Sequence, residues 1–347
     1  MKRDLIFCLF IAVLAVFLPF AAKAAPDLLH EPGFKASSLH SKIPEIQKFE
    51  PAAVPTANSA FFGDLTISVL NGSESVTMAL EDYLVGVVAG EMPVSFEPEA
   101  LKAQAVAART YTLYKLVVSP SVNHEENVCT DPACCKAYSN EAALREKWGD
   151  DYDENIAKIT DAVNKTRGEY IVYDSLPILA VFHSSSYEST ESSENVWSAA
   201  LPYLSSVASP ESADDVSDFI TSVNISFDDF KETVLSQYPN ADFSGEPGSW
   251  LMGAEYTQSG RLSNIRIGGV SIRGTELRSL FSLRSAAIKY RINDNDIEFT
   301  VSGYGHGVGM SQYGANAMAK TGSDYHEILS WYYTDVAFEN LYESEMM

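Results

Sequence analysis

Glu91 is the residue of this sequence whose surroundings best suit proton transfer. It follows an apolar segment at 81–89 that is predicted to be a helix, and it stands directly before Met92 and Pro93. The negative end of a helix dipole and apolar neighbours both raise the pKa of a carboxyl group. A carboxyl group that stays protonated near neutral pH can protonate the bridging oxygen of a glycosidic bond. On spacing alone, however, an exposed glutamate in a turn is the preferred interpretation.

A second chemically capable group is formed by His124, Cys129, Cys134 and Cys135, which lie within twelve residues. Outside the cytoplasm the default is a disulfide between Cys129 and either Cys134 or Cys135. Imidazole and thiolate groups are also zinc ligands, although this spacing matches no standard zinc finger. The sequence leaves both alternatives open.

A histidine followed by three serines, at 183–186, ends a strand-like segment. Neighbouring side chains on a strand point to opposite faces, so His183 is not placed to activate Ser184. His183 and Ser185 share a face instead. We therefore expect these two side chains to form hydrogen bonds in a groove rather than to supply a nucleophile.

Glycine occupies every second position from Gly303 to Gly309. A nucleotide site would need a parallel strand–helix–strand unit here, and none is predicted, so nucleotide binding is rejected. Glycines allow a backbone to approach its neighbours closely. We expect this to bring His306 and Gln312 near a bound sugar, the alternative being a tight loop around a buried histidine.

Helices and strands are intermixed along the chain without a regular alternation, which predicts an α+β fold. The strongest helix signal is the Ala-rich stretch from Glu97 to about Val118, since Pro98 suits a first helical position. A surface helix is expected within 215–237. Strands are expected at 65–70, 169–174 and 178–184, the last two paired around a turn at 175–177.

The N-terminus carries an uncharged apolar segment from Leu5 to Ala22, which is just long enough to span a bilayer. Lys2 and Arg3 precede it, which keeps the N-terminus inside and places the remainder outside the cytoplasm. A retained anchor is preferred, and a signal peptide cleaved near Ala24 is the alternative. The chain is therefore divided into an anchor or signal segment at 1–24, a linker at 25–61 and a folded domain at 62–340.

The formal net charge of −23 excludes one class of partner. Nucleic-acid binding needs a basic surface, so no nucleic acid is expected. A neutral or nearly neutral polymer such as a glycan is compatible with this charge. Solubility is the simplest explanation for the charge itself.

Several separated motifs point to a known family. The first is YLVGVVAGEMPVSFEPEALKAQAVAARTYTLYKL at 83–116. The others are FHSSSYESTESSENVW at 182–197, LPYLSSVASP at 201–210, GRLSNIRIGGVSIRGTELRSLFSLRS at 260–285 and GYGHGVGMSQYGANAMAKTG at 303–322. Together they resemble the stage II sporulation protein D (SpoIID) family of lytic transglycosylases over most of residues 63–335.

The resemblance implies roles for particular residues. It makes Glu91 the catalytic acid/base and places Gln104 and Arg109 along a glycan-binding groove. Arg109 would contact the lactyl carboxylate of N-acetylmuramic acid or a sugar hydroxyl; an ion pair with a nearby acid is the alternative. Family members that hold zinc in this loop imply the ligands His124, Cys129 and Cys135.

The resemblance also implies an activity and a setting. A single glutamate would cleave the MurNAc–GlcNAc bond of peptide-stripped strands to 1,6-anhydro ends, a carbon–oxygen lyase reaction on peptidoglycan. The expected partners are a cell-wall amidase (SpoIIP-like) and a membrane protein (SpoIIM-like), in sporulation engulfment. The expected location is the cell membrane, with a single span and the catalytic domain between forespore and mother cell. Since the domain also resembles amidase enhancers, a glycan-binding activator without chemistry is the alternative.

Two departures from the family pattern are visible. Tyr187 and Glu188 stand where the family usually has two glycines, so the backbone of that loop is in question. Lys136 stands where the family often has glutamine.

Overall fold

The computed structural model describes residues 65–197 and 199–342. The expected membrane segment at 5–22 and the linker at 25–61 lie outside these residues. Within the described ranges, no helix is both long and apolar enough to cross a bilayer.

Helices and strands are intermixed along the described chain. The α-helices are α1 (Leu80–Glu91), α2 (Pro98–Val117), α3 (Glu141–Trp148), α4 (Tyr152–Lys165), α5 (Ser193–Val196), α6 (Phe227–Gln237), α7 (Gly274–Leu280), α8 (Gln312–Lys320) and α9 (Tyr325–Tyr332). The strands are β1 (Thr66–Asn71), β2 (Glu74–Ala79), β3 (Val128–Cys129), β4 (Glu169–Tyr173), β5 (Leu176–Pro177), β6 (Phe182–His183), β7 (Ile220–Ser226), β8 (Leu251–Tyr256), β9 (Leu262–Ile267), β10 (Val270–Arg273), β11 (Ile288–Ile292), β12 (Asp296–Ser302), β13 (Met310–Ser311) and β14 (Ala337–Asn340).

The strands form small sheets in which most neighbours are antiparallel. The strand orders are β2-β1-β3, β10-β9-β8, β11-β12-β7 and β14-β4-β5, and β13 pairs with β6. Among these named strands, only the short pairings β1–β3 and β6–β13 are parallel. The predicted α+β class with antiparallel strands is confirmed.

Helix α2 lies at the centre of the first apolar core. Its buried residues occupy all sides of the helix and include Ala103, Ala105 and Ala107. A helix that is apolar all round is enclosed by other elements, and α1, α4, α8, α9 and β4 all contact it. The predicted helix is confirmed, and it is the scaffold on which α1 and its terminal Glu91 rest.

A second apolar core lies among α6, α7 and the strands β8–β12; its buried residues are mostly Val, Leu and Ile, with Phe230, Trp250 and Phe299 among them. The ring of Phe230 stacks on Phe281, with 5.1 Å between centroids and an interplanar angle of 2°. Phe299 and Trp250 also contact Phe230. This core supports β12, which leads directly into the loop of alternating glycines.

The strand pairing expected between 169–174 and 178–184 needs correction. On this side β4 pairs with the two-residue β5, around Asp174 and Ser175, whose φ angles are 49° and 63°, and its other edge pairs with β14. The following segment turns instead to the glycine-rich loop, where Met310 N donates to the carbonyl of Val181. Ile178 N still donates to the carbonyl of Ile171 in β4 at 3.2 Å, but from Val181 onward the backbone of this segment bonds the glycine-rich loop instead.

The helix expected within 215–237 is confirmed and occupies the second half of that range, Phe227–Gln237. Residues Ile220–Ser226 form β7, which pairs antiparallel with β12. The Ser226 hydroxyl then accepts a hydrogen bond from Asp229 N at 3.2 Å and caps α6. A serine with acids in the following turn is a helix start signal, and it fixes the boundary here.

Candidate active site

Glu91 is the last residue of α1, as the position of the apolar run predicts. The chain then leaves the helix through Met92, whose backbone is extended. Lys158 holds the turn that follows, since its ammonium donates to the carbonyls of Val94 at 2.8 Å and Phe96 at 2.7 Å. The position of Glu91 is therefore fixed from both sides.

The carboxyl group of Glu91 is half-buried and accepts one hydrogen bond, from Ala137 N to Oε1 at 3.0 Å. Burial raises the pKa of Glu91 above its usual range, while the charge of Lys136 and the Ala137 amide act in the lowering direction. Because burial prevails, the carboxyl group keeps its proton to a higher pH than a free glutamate does. A shift in this direction is what a general acid needs.

The amide of Ala137 reaches Glu91 because the next residues of its loop dock on α1. The ring of Tyr138 stacks on Tyr83, with centroids 5.7 Å apart and an interplanar angle of 7°. Ser139 N donates to the carbonyl of Gly86 at 3.0 Å. A Cβ at Gly86 would lie 2.2 Å from the Tyr138 ring, so glycine is required there for the ring to pack.

Lys136 lies in an unusual position for an ammonium group. Only 9% of the residue is exposed, and Nζ lies 3.8 Å from the centroid of the Phe182 ring and 4.1 Å from that of Tyr111. Burial lowers the pKa of Lys136 to about 8, and Glu91 acts in the opposite direction. The two rings stabilise the cation from their faces, so a positive charge is held beside Glu91.

Gln312 contacts the backbone carbonyl of Glu91, and Gln104 contacts Gln312. Gln312 Nε2 donates to the carbonyl of Glu91 at 3.0 Å and lies 3.3 Å from Oε1 of Gln104. Gln104 is fully buried and Gln312 is 7% exposed. Gln312 thus fixes the end of α1, and Gln104 positions Gln312; their expected contact with a sugar stays a prediction.

Arg109 lies in the ion pair that was the alternative to a groove position. It is fully buried, and its guanidinium donates to both carboxylate oxygens of Glu81, at 3.0 and 2.6 Å. It also donates to the carbonyl of Glu169 at 3.0 Å. Arg109 therefore links α1, α2 and β4 inside the core and presents no atom to a groove.

His183 and Ser185, which were expected to line a groove, are both buried, and His183 is hydrogen-bonded to Ser186. His183 Nδ1 lies 3.2 Å from the carbonyl of Val308, which can only accept, and Nε2 lies 2.6 Å from the Ser186 hydroxyl. Burial lowers the pKa of His183 well below its usual range, so the ring is neutral and Nε2 accepts from Ser186. Ser186 is fully buried, so this pair is closed to a substrate.

His306 is the one predicted binder in the 303–309 loop, and it lies half-buried between other rings. Its centroid is 5.1 Å from that of Trp197 and 5.6 Å from that of His183. Burial, followed by the charge of Lys136, lowers the pKa of His306 to about 3, so the ring is neutral at physiological pH. Trp197 remains 37% exposed beside it.

The contacts described above lead from Glu91 through Lys136 to a series of aromatic rings. We use the name site row for Glu91, Lys136, Phe182, His306 and Trp197. Phe182 is buried, whereas Trp197 is 37% exposed and is therefore the ring of this row best suited to contact a partly wet ligand such as a sugar. The sequence analysis did not single out Phe182 and Trp197. The signal that could have found them is that they stand at the two ends of the polar stretch 183–196.

The alternating glycines serve the chain's own packing. All four, Gly303, Gly305, Gly307 and Gly309, have positive φ angles between 70° and 115°. A Cβ at Gly309 would lie 2.2 Å from the carbonyl oxygen of Val181, and one at Gly305 would lie 2.7 Å from Cβ of His183. The loop therefore lies directly against residues 181–185, and this brings His306 next to His183.

The departure at Tyr187 and Glu188 also has a structural account. Glu188 has a φ angle of 63°, a conformation that favours glycine. Its carbonyl accepts from Ser209 N at 2.9 Å, and the Tyr187 ring contacts Phe219 with centroids 5.9 Å apart. A non-glycine residue thus takes a conformation that favours glycine here, and the Tyr187 ring packs beside it.

The cysteine loop, residues 119–140, gathers His124, Cys129, Cys134 and Cys135 so that their ligand atoms all lie within 4.8 Å of one another. All three thiols are free, so the expected disulfide is not formed. His124 Nδ1 lies 2.9 Å from the carbonyl of Glu126, which makes Nδ1 the donor and leaves the Nε2 lone pair for a metal. One imidazole with thiolates fits zinc.

Known proteins resemble this chain over most of its length. A family model described as "SpoIID: Stage II sporulation protein" matches residues 71–173. Stage II sporulation protein D of Bacillus amyloliquefaciens is 35% identical over 323 residues, which are 92% of this chain and 89% of that protein. The Bacillus subtilis (strain 168) protein of the same name is 35% identical over 302 residues, 84% of this chain and 80% of that protein.

A more distant relative has a different name. The amidase enhancer of Bacillus subtilis (strain 168) is 29% identical over 308 residues, which are 72% of this chain and 39% of that protein. The two sporulation proteins match with higher identity and over more of their own length. The chain belongs to the stage II sporulation protein D (SpoIID) family.

Proposed function

We propose that this chain is a peptidoglycan lytic transglycosylase of the sporulating cell. Its substrate is the MurNAc–GlcNAc bond of glycan strands whose stem peptides have been removed. The observation that carries the proposal is the half-buried Glu91 carboxyl group, with a pKa raised by burial and one oxygen held by Ala137 N. The two relatives named stage II sporulation protein D support a role in sporulation.

The proposed reaction uses one carboxyl group twice. Protonated Glu91 gives its proton to the bridging oxygen as the bond from C1 of N-acetylmuramic acid to that oxygen breaks. The 6-hydroxyl of the same sugar then attacks C1, and its proton returns to Glu91. The products are a 1,6-anhydro end and a free 4-hydroxyl on N-acetylglucosamine, with no water consumed. The attacking group belongs to the same sugar, which favours the step by proximity.

The surroundings of Glu91 favour this reaction over hydrolysis. Hydrolysis by the usual routes needs two carboxyl groups about 5–9.5 Å apart. Burial, then Lys136 and the amide of Ala137, shift the pKa of Glu91, and no carboxylate of the described residues is among the groups that act on it. An internal nucleophile removes the need for the second acid.

The site row supplies the remainder of the proposed groove. Trp197 and His306 would stack against sugar faces, and Lys136 would place a positive charge near the lactyl carboxylate of N-acetylmuramic acid. Zinc bound by His124, Cys129 and Cys135 would hold the cysteine loop in shape. Membrane anchoring, an extracytoplasmic location, and the amidase and membrane-protein partners stay predictions from the N-terminal sequence and the family resemblance.

The test is digestion of purified glycan strands with mass analysis of the products. We expect 1,6-anhydro ends from peptide-free strands, few from strands with intact stem peptides, and no uptake of oxygen from heavy-oxygen water. Uptake of heavy oxygen at reducing ends would identify a hydrolase and overturn the proposal.

The rival function is that of a glycan-binding amidase enhancer, favoured by the relative of that name. Under this alternative, peptide-free strands stay intact while added amidase releases stem peptides faster. The same digestion with and without a cell-wall amidase separates the two functions.

Replacing Lys136 by glutamine should move the pH dependence of cleavage. The lysine charge lowers the pKa of Glu91, so its removal raises that pKa further. A general acid loses activity as pH rises through its pKa, and the basic limb of kcat/KM should therefore move to higher pH. The control is Lys102→Gln, at a lysine that pairs with Glu99 at 2.6 Å. An unshifted basic limb in Lys136→Gln would contradict the electrostatic role.

A further inference from the structure

The cysteine loop contains one more ligand than the family resemblance implies. Cys134 Sγ lies 3.9 Å from Cys135 Sγ, and Cys135 Sγ lies 3.6 Å from His124 Nε2. These atoms and the Cys129 sulfur form one cluster in which every pair is within 4.8 Å. We infer that Cys134 is a fourth zinc ligand, and that it closes a tetrahedral site of three thiolates and one imidazole.

The distances agree with a tetrahedron around zinc. Bonds of about 2.3 Å to sulfur and about 2.0–2.1 Å to nitrogen give edges of roughly 3.8 Å between two sulfurs and roughly 3.6 Å between sulfur and nitrogen. The observed edges are 3.9 Å and 3.6 Å. A disulfide would need its sulfurs at about 2.05 Å. The Cys134–Cys135 pair is therefore spaced as two ligands of one ion.

The surroundings of Cys134 suit a thiolate ligand. Asn123 Nδ2 donates toward its sulfur at 3.7 Å, and the Ser121 hydroxyl lies 3.8 Å from it. Polar partners of this kind orient a metal ligand from outside and tune its bond to the ion. Cys134 is thus held toward the cluster by residues of its own loop.

A closed site has a different task from an open one. A catalytic zinc keeps one position for water or substrate, whereas a zinc with four protein ligands is structural. Cys129 lies on β3, which pairs with β1, and Cys135 is two residues before Ala137, whose amide contacts Glu91. The ion would therefore fasten the Glu91-holding segment to a sheet. This bracing task, unlike the ligand set, rests on the proposed function.

The ligand set is tested on the full-length protein by metal content and by cobalt substitution. The parent should hold about one zinc per chain, and its cobalt form should show thiolate-to-cobalt absorption. Cys134→Ser should lose about one third of that absorption, because two of three thiolates remain, and should bind zinc at least about 10-fold more weakly in competition with a chelator. Cys129→Ser should behave alike.

The matched control is Cys8→Ser, a change at the one cysteine outside the loop, which should leave both readouts unchanged. A Cys134→Ser protein with the parent's cobalt spectrum and zinc affinity would overturn the fourth ligand. Peptide mapping that finds a disulfide at Cys134 in the purified parent would do so as well. Neither readout involves glycan, so they stand apart from any failure of the transglycosylase proposal.

The bracing task has its own test, the cleavage rate of protein loaded with zinc, cobalt or cadmium. A closed, structural ion should give rates that agree within a few-fold across the metals. A strong dependence on the metal would overturn the bracing task. No cleavage with any metal would overturn the proposed function and leave the ligand set intact.

Discussion

Glu91→Gln should lower the rate of anhydro-product release by about 10²–10⁴-fold, the usual contribution of a general acid. Glutamine keeps the size of the side chain and can still accept from Ala137 N, but it has no proton to transfer. The measurement is single-turnover cleavage of peptide-free strands, with binding to the same strands measured separately. Binding should stay within a few-fold of the parent.

The matched control for this prediction is Glu97→Gln. Glu97 is exposed at the start of α2, where a negative charge is favoured. Its amide change should leave the rate close to the parent's. If Glu91→Gln cleaves as fast as the parent, Glu91 is not the acid.

Glu91→Gln should also change how the free energy of unfolding depends on pH. The pKa of Glu91 is raised in the folded state, so the carboxyl group contributes stability below its unfolded pKa of about 4.3 and loses that contribution as pH rises through the folded pKa. Glutamine does not titrate. The free energy of unfolding of Glu91→Gln relative to the parent should therefore increase from about pH 4 to about pH 7. Urea unfolding at both pH values measures this, and a constant difference would contradict it.

Arg109→Ala should destabilise the protein by about 3–5 kcal/mol, the cost of leaving a buried partner charge uncompensated. The partner is Glu81, which is 5% exposed and keeps only the amide of Gly168, at 3.2 Å, once the guanidinium is gone. Domains are stable by about 5–15 kcal/mol in total. The urea midpoint should fall sharply, and some of the protein should be unfolded without denaturant.

Two comparisons separate the orphaned charge from lost packing. Arg145→Ala removes an exposed partner of Glu141 and should leave the urea midpoint close to the parent's. The double substitution Arg109→Met with Glu81→Leu removes both charges and should recover much of the loss. If Arg109→Ala keeps its stability but fails to bind glycan, the groove position implied by the family would be right after all.

The sequence predicted the parts of the site that depend on local pattern. The apolar run before Met92 placed Glu91 at a helix end, and Pro98 with the following alanines placed α2. The sequence could not decide between a groove position and an ion pair for Arg109, because its ion-pair partner, Glu81, is 28 positions away in the sequence. It also could not pair His183 with Ser186, because strand alternation ends where the chain bends against the glycine loop.

Long-range contacts explain why the rest escaped prediction. The segment 178–184 has the composition of a strand, but much of it packs against the glycine-rich loop, which lies more than a hundred residues later in the sequence. Lys136 was visible as a departure from the family, whereas the rings on its two sides come from Tyr111 and Phe182 and meet only in the fold. Propensity sets elements, and tertiary contacts set which of them touch.

The contacts between α8 and the Glu91 region span almost the whole described chain. Gln312 binds the Glu91 carbonyl across 221 positions, and Asn316 accepts from Glu97 N across 219. Contacts of such sequence separation form late, since a long loop must close before they stabilise anything. During synthesis Glu91 leaves the ribosome long before α8, which carries Gln312 and Asn316. We expect a nascent or truncated chain that lacks α8 to bury α2 and yet leave Glu91 without these contacts, so that the proposed cleavage activity would appear only once α8 has been made.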